Sequence, residues 1–246
     1  MCCFSRPVDL VSGTHIFARA GQNGRQFVVY SMILGTKEDL AMILPIPVPK
    51  ESKEDAVRFI NLEKYKEFFT DMQAGFPLPK ASRDSLSLGH AAPGSKLKLV
   101  DVGSYEASFV PQVKDFARLD ERFRLPMGVW DKLPQYKDYG FAVFKLKKGQ
   151  SNVHPMAFEF PRSDPQHLFF PTVHIHDGKV HPQAKFDHAL YCQFTGEGRL
   201  IVEWQESIQP AGMFMKKDQA QGLLDPNAHC YRREIKGTHK NADILV

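Results

Sequence analysis

The sequence predicts an α+β protein: mostly antiparallel β-sheet built from hairpins, with a few packed helices. Three observations carry that expectation. β-prone runs follow one another across short Gly-, Asn- and Asp-containing junctions, stretches of helical periodicity are few, and the two kinds do not alternate as they would in a doubly wound sheet. No internal repeat, Gly-rich phosphate loop, Gly-x-Ser-x-Gly elbow or paired-cysteine zinc signature is present, so nucleotide and cofactor readings lose support. At 246 residues, 43% hydrophobic and 24% charged, the chain is long enough to bury a core as one domain over residues 1–246 without disulfide staples.

Taken in order, Thr14 to Ala20 and Gln26 to Leu34 read as a hairpin around Gly21-Gln-Asn-Gly24. Leu40 begins a buried strand, and Pro45, Pro47 and Pro49 take the chain out of the sheet, because each lacks a ladder donor. Ser52 and Asp55 resemble a helix start, and Asn61 caps a second segment to Gly75 whose Leu62, Tyr65, Phe68, Phe69 and Met72 share one apolar face. Residues 76–96 are Pro-, Ser- and Gly-containing without periodicity, which predicts a long surface loop. Leu97 to Val102 and Ser104 to Val110 read as strands, and Lys114 to Phe123 as a short helix stopped before Pro126. Gly140 to Lys147 and Val153 to Phe160 form an expected strand pair. Phe186 to Phe194 and Arg199 to Glu206 form another, around Thr195-Gly-Glu-Gly198, with Trp204 as a core anchor. Met213 to Leu224 is an expected helix and His229 to Lys236 a last strand.

The stretch that draws chemical interest is Phe169 to His188, which holds four of the ten histidines. Asp177-Gly178 is the pair that a two-residue type I′ turn prefers, so the stretch reads as a hairpin. A reversal there opposes His174 to His181 and Ile175 to Val180, and alternation puts His174, His176 and His181 on one face, with Val173, Ile175 and Val180 on the other. Three imidazoles on one face suit a transition metal such as zinc or iron, with His188, Asp187 or His154 completing the set. The competing expectation is a solvated or hydrogen-bonded polar face on an edge hairpin, which Pro182 favours.

The net charge of +4 is spread among interspersed acidic and basic residues, which does not make the basic stripe that tracks nucleic acid. The N-terminal residues carry no export pattern, no stretch of about twenty apolar residues exists, and the four cysteines do not form a secreted framework. Those features predict reduced thiols, a cytoplasmic location, no membrane, and a small molecule or a protein as partner.

The segments Asp39-Leu-Ala-Met-Ile-Leu-Pro-Ile-Pro-Val48, Val102-Gly-Ser-Tyr-Glu-Ala107, Tyr136-Lys-Asp-Tyr-Gly-Phe-Ala-Val-Phe-Lys-Leu146 and His154-Pro-Met-Ala-Phe-Glu-Phe160 followed by Phe170-Pro171 together resemble the DUF2330 family of uncharacterised bacterial proteins. The resemblance implies one architecture and supplies no activity; members of that family commonly carry an export signal, which this chain does not. Met1-Cys2 followed by His15-Ile-Phe-Ala-Arg19 resembles the start of the choloylglycine-hydrolase group over about twenty residues. Removal of Met1 would leave Cys2 with a free α-amine, as in an N-terminal-nucleophile hydrolase. Where that group continues Arg-Asn and then Asp, this chain has Arg19-Ala20-Gly21, so the substrate-orienting pair is missing. The other expectation for Cys2 and Cys3 is a frayed terminus or two small hydrophobes tucked against the first hairpin.

Three functions follow from the sequence: a metal-binding protein or metal-assisted enzyme using His174, His176, His181 and His188; a non-catalytic ligand-binding or assembly module; and an amidohydrolase with Cys2 as catalytic nucleophile.

Overall fold

The computed structural model describes residues 3–76, 100–101, 105–126, 128–148, 153–194 and 203–246. Their strands are β1 (Cys3–Phe4), β2 (Leu10–Ala20), β3 (Arg25–Gly35), β4 (Leu40–Ile46), β5 (Arg58–Asn61), β6 (Val100–Asp101), β7 (Glu106–Val110), β8 (Gly140–Leu146), β9 (Met156–Pro161), β10 (Phe169–Phe170), β11 (Gln183–Gln193), β12 (Gln205–Glu206), β13 (Tyr231–Lys240) and β14 (Ile244–Leu245), with one helix, α1 (Phe68–Ala74). One sheet is five-stranded in the order β1-β4-β8-β7-β6, the other seven-stranded in the order β12-β13-β11-β2-β3-β9-β5, and β10 pairs with β14 in a two-stranded ribbon. Every pairing is antiparallel except β2 with β11, which run parallel from Thr14 opposite His188 to Arg19 opposite Gln193.

The apolar runs of β4 and of Phe141 to Phe144 in β8 have a physical cause: every residue in both strands is buried, so neither face can carry an unsolvated polar residue cheaply, and the charged residue of β8, Lys145, is paired with Glu106 at 3.2 Å. Leu40, Met42 and Leu44 enter the central core with Ala142, Phe144, Ile16, Tyr30 and Phe158. Their neighbours Ala41, Ile43, Phe141 and Val143 turn the other way, onto Phe116, Leu119 and Phe123. On the far face of the seven-stranded sheet, Phe17, Val29 and Tyr191 receive Phe68, Phe69 and Met72 of α1 together with Met215 and Leu223.

The expected mostly β, largely antiparallel architecture is present, with less helix than expected. Lys114 to Phe123 splits into two 3-10 segments, Val113–Arg118 and Glu121–Phe123. Asp120 interrupts them, its carboxylate accepting from the Arg122 N–H at 3.0 Å, a local bond that competes with helix continuation. The expected helix from Met213 contains only the end of a 3-10 turn, Ala211–Met213, followed by turns in which Gln221 and Gly222 take positive φ of 49° and 76°. Gly140 to Leu146 and Met156 to Pro161 do not pair with each other, because β8 lies in one main sheet and β9 in the other. Likewise β12 pairs with β13 rather than with β11; the turn expected between them lies outside the described residues, as does residue Cys2 and, apart from buried Phe76, the expected loop 76–96. Pro45 stays inside β4 opposite Phe141; β1 reaches only Met42 and Ile43 on the other flank, so the strand is an edge where the proline sits. Among the described residues no helix is long and apolar enough to cross a membrane.

Candidate functional site

The site begins with a defect in β2. The register of β2 against β3 slips by one residue between Ser12 and His15, and Gly13 takes a φ of +56°, the geometry of a β-bulge. Beyond the bulge β2 is laddered to β11, and before it the ladder is absent. The Gly13 N–H donates instead to Asp187 Oδ2 at 3.0 Å.

The chain from Thr172 to His176, which enters this region, is extended but has side chains where a strand partner would be. Asp243 Oδ1 accepts from the N–H groups of Thr172 (2.8 Å) and Val173 (3.0 Å), and Asn241 Oδ1 accepts from His174 N–H at 2.7 Å. The Asn241 amide also donates to the carbonyls of His174 and His181, each at 2.9 Å. Tyr136 donates to Asp243 Oδ2 at 2.6 Å. Burial pushes the Asp243 carboxyl up to about 6, with these hydrogen bonds opposing the rise. On the other flank Phe4 N–H bonds the Ile175 carbonyl at 2.9 Å.

That scaffold stacks three imidazoles. His174 lies between His176, 5.4 Å away with ring planes 8° apart, and His188, 5.2 Å away at 11°. Phe186 packs on His174 at 4.4 Å. His174 is 5% exposed and His188 1%. Loss of hydration disfavours the charged form of each ring: burial lowers His174 to about 2 and His176 to about 4, and depresses His188 strongly as well. All three are therefore neutral at ordinary pH. His188 Nδ1 accepts from the Asp187 N–H at 3.1 Å, whereas Nε2 of His174 and Nε2 of His176 are buried without a hydrogen-bond partner. Above the stack lies an open cleft of about 550 Å³, walled by Val11 and Ser12 of β2 and by Gln183, Ala184, Lys185 and Asp187 of β11, with His174, His176, Asp177, His181 and Asn241 completing its lining.

The expected hairpin is not formed, since residues 171–176 make no ladder with 179–182; Ile175 bridges Cys3 instead, and Asn241 and Asp243 take the backbone groups a partner strand would have used. Consequently His181 leaves the expected trio. It is exposed on the cleft rim, with Nε2 2.9 Å from Asp177 Oδ2, and this contact holds the Asp177 carboxyl below its usual range. His188 takes its place in the cluster. His154 stacks on Tyr105 at 4.6 Å, and Arg19 donates to the carbonyls of Leu223 (2.8 Å) and Gly222 (2.6 Å). Imidazole lone pairs lie in the ring plane, so parallel rings do not aim them at one point; among the described residues no group of three or more His, Cys, Asp or Glu side chains is arranged to hold a metal ion. Cys3, Cys192 and Cys230 are buried and not disulfide-bonded, and burial raises the thiol pKa of the latter two.

Sequence reasoning missed the bulge, Asn241 and Asp243. A glycine inside a β-prone run at Gly13 was a usable signal for the first. Nothing local marks the other two, which act on residues about seventy positions away in the chain.

No protein-family model matches the sequence, and no curated protein matches it. Among solved structures the chain is similar to a mutated baculovirus P35 after caspase cleavage, with a TM-score of 0.50 and 15% identity over 95% of this chain and 99% of that one. It also matches baculovirus P35 itself (TM-score 0.49, 15% identity, 99% and 98% covered) and the caspase-8/P35 complex (0.47, 14%, 95% and 95%). The first of these likenesses is one of fold.

Proposed function

We propose that the chain acts by binding another protein, as a non-catalytic module, through the histidine cleft. The observation that carries this reading is the cleft's composition: an open, mostly apolar surface interrupted by fixed polar groups, over the neutral rings of His174 and His176, whose Nε2 atoms are buried without a hydrogen-bond partner. Such surfaces recognise ligands by shape and a small number of directed hydrogen bonds. The fold supports a narrower version. Because the similar structure is that of a mutated P35 after caspase cleavage, a caspase-type cysteine protease is the partner class to test first. Purified caspase-8 is incubated with the protein in molar excess, and residual peptidase activity and the intact mass of the chain are followed together. Loss of activity with a single cleavage of the chain supports the reading; an intact chain beside a fully active protease removes caspases from it.

A second reading is favoured by the two unpartnered nitrogens alone. His174, His176 and His188 would hold a transition metal such as zinc or iron if the rings rotated out of their parallel stack. Elemental analysis of protein purified without an affinity tag decides this; less than about a tenth of an equivalent of metal, with melting unchanged by a chelator, ends it.

A further inference from the structure

We propose that the cleft is a strand-acceptor slot, which takes an extended segment of the partner polypeptide between β2 and β11. This deepens the protein-binding reading and rests on it. Leu10 to Ser12 is laddered to β3 alone and Gln183 to Asp187 to β13 alone, since the parallel ladder starts only at Thr14 and His188. The two strands therefore separate before the bulge, and the cleft opens between them with β2 residues on one wall and β11 residues on the other. Each wall is a strand edge without a ladder on the cleft side, which is a template for another strand; at its closed end the Asp187 N–H is taken by His188 Nδ1 and the Gly13 N–H by Asp187. A sheet spacing of about 4.8 Å means that one inserted strand needs walls roughly 10 Å apart, and the unladdered stretches, Leu10 to Ser12 on one wall and Gln183 to Asp187 on the other, accommodate about 10 to 16 Å of it.

The edges specify the occupant as polypeptide backbone, with main-chain bonds giving affinity and alternate side chains giving selectivity. Beneath the cleft, Nε2 of His174 and of His176 are buried without partners, and because a neutral imidazole presents either an N–H or a lone pair, a hydroxyl or a carboxamide at the centre of the segment satisfies them once these rings turn toward it. A charged side chain is poorly matched, because it would be desolvated against rings that are themselves held neutral, while the rim carboxylates are already engaged, Asp177 by His181 and Asp187 by the Gly13 N–H. The segment is therefore extended and uncharged at its centre, with serine, threonine, asparagine or glutamine facing the stack.

The probe is a heptapeptide of alternating threonine and valine flanked by lysines, compared with the same peptide N-methylated along its backbone. Binding is read by fluorescence anisotropy and by amide hydrogen exchange on the full chain. The unmodified peptide is expected to bind and to slow exchange at Leu10 to Ser12 and at Gln183 to Lys185, and the methylated one to lose binding. Gln183→Trp fills an exposed position on the slot wall and should weaken binding by about tenfold or more without changing the melting temperature. No binding of the unmodified peptide, binding without protection of both strands, or equal binding by the methylated peptide or by a folded Gln183→Trp protein overturns the slot. Caspase inhibition that persists in that case would leave the protein-binding reading standing.

Discussion

The parallel pair β2 and β11 has two ends, and they are finished in opposite ways. At the far end, Arg19 donates to the carbonyls of Leu223 and Gly222. The buried Gln193 side chain accepts from Asp225 N–H at 2.8 Å while its amide donates to the Asp225 and Ala228 carbonyls at 2.8 and 3.2 Å. Polar atoms there are tied to backbone. At the near end the ladder stops, the strands part, and Thr14 Oγ1, His174 Nε2 and His176 Nε2 are buried without partners. Unsatisfied buried groups cost about 1 to 3 kcal/mol each, so the same two strands are secured at one end and left costly at the other. A fold carries such a cost where it supports a binding surface that a better-packed arrangement would close.

Acid separates the two ends most strongly. His174, His176 and His15 are all held below their ordinary 6.5, at about 2, 4 and 4, by burial. Below pH 6.5 the unfolded chain takes up protons that the folded chain refuses, so stability is full above that value and is lost as pH falls towards the folded values. Each imidazole contributes a slope of about 1.4 kcal/mol per pH unit in that window. Asp243 works the other way: with its folded value raised to about 6, it offsets roughly one imidazole between pH 4 and 6. Urea denaturation at pH 7, 6 and 5 should show falling stability, with amide exchange rising first at Thr172 to His176; a flat profile would mean the rings are not desolvated. Next in size, Gln193→Ala removes the partner of three backbone groups at the secured end, the Asp225 N–H and the Asp225 and Ala228 carbonyls, and should cost about 3 kcal/mol, measured by the same denaturation. A loss under about 1 kcal/mol would abolish the contrast. Smallest is His174→Leu, which removes a costly orphan nitrogen and should stabilise the fold by about 1 kcal/mol while abolishing peptide binding. Destabilisation would instead mark the stack as structural.

What could be read in the sequence was local. The β2–β3 hairpin and strands β4 and β8 are legible because their residues announce burial by pattern alone. His174, His176 and His188 were legible as a group of interest, yet the arrangement was not. Asp177-Gly178 favours a reversal, but the backbone bonds that would have completed a hairpin are taken by Asn241 and Asp243, and no periodicity within 169–188 reveals distant competitors. His181 lost its place for that reason, and His188 gained its own through the β11–β2 pairing and Phe186 through the β11–β13 pairing, the first of them another non-local event. Helix expectations failed where Asp120 and Gln221-Gly222 supply local alternatives to an extended run of helical bonds.

The pairing of β2 with β11 also has a kinetic side. Gly13 and Asp187 meet across 174 residues of chain, and among the described strands β2 is flanked by β3 and β11. During synthesis the first hairpin must wait, with the inward edge of β2 uncovered, until most of the polypeptide has emerged. Closing so long a loop is entropically slow, and the uncovered edge is an invitation to misassociation while it lasts. Refolding should therefore be slow and sensitive to protein concentration, with the parallel ladder among the last structure to acquire exchange protection.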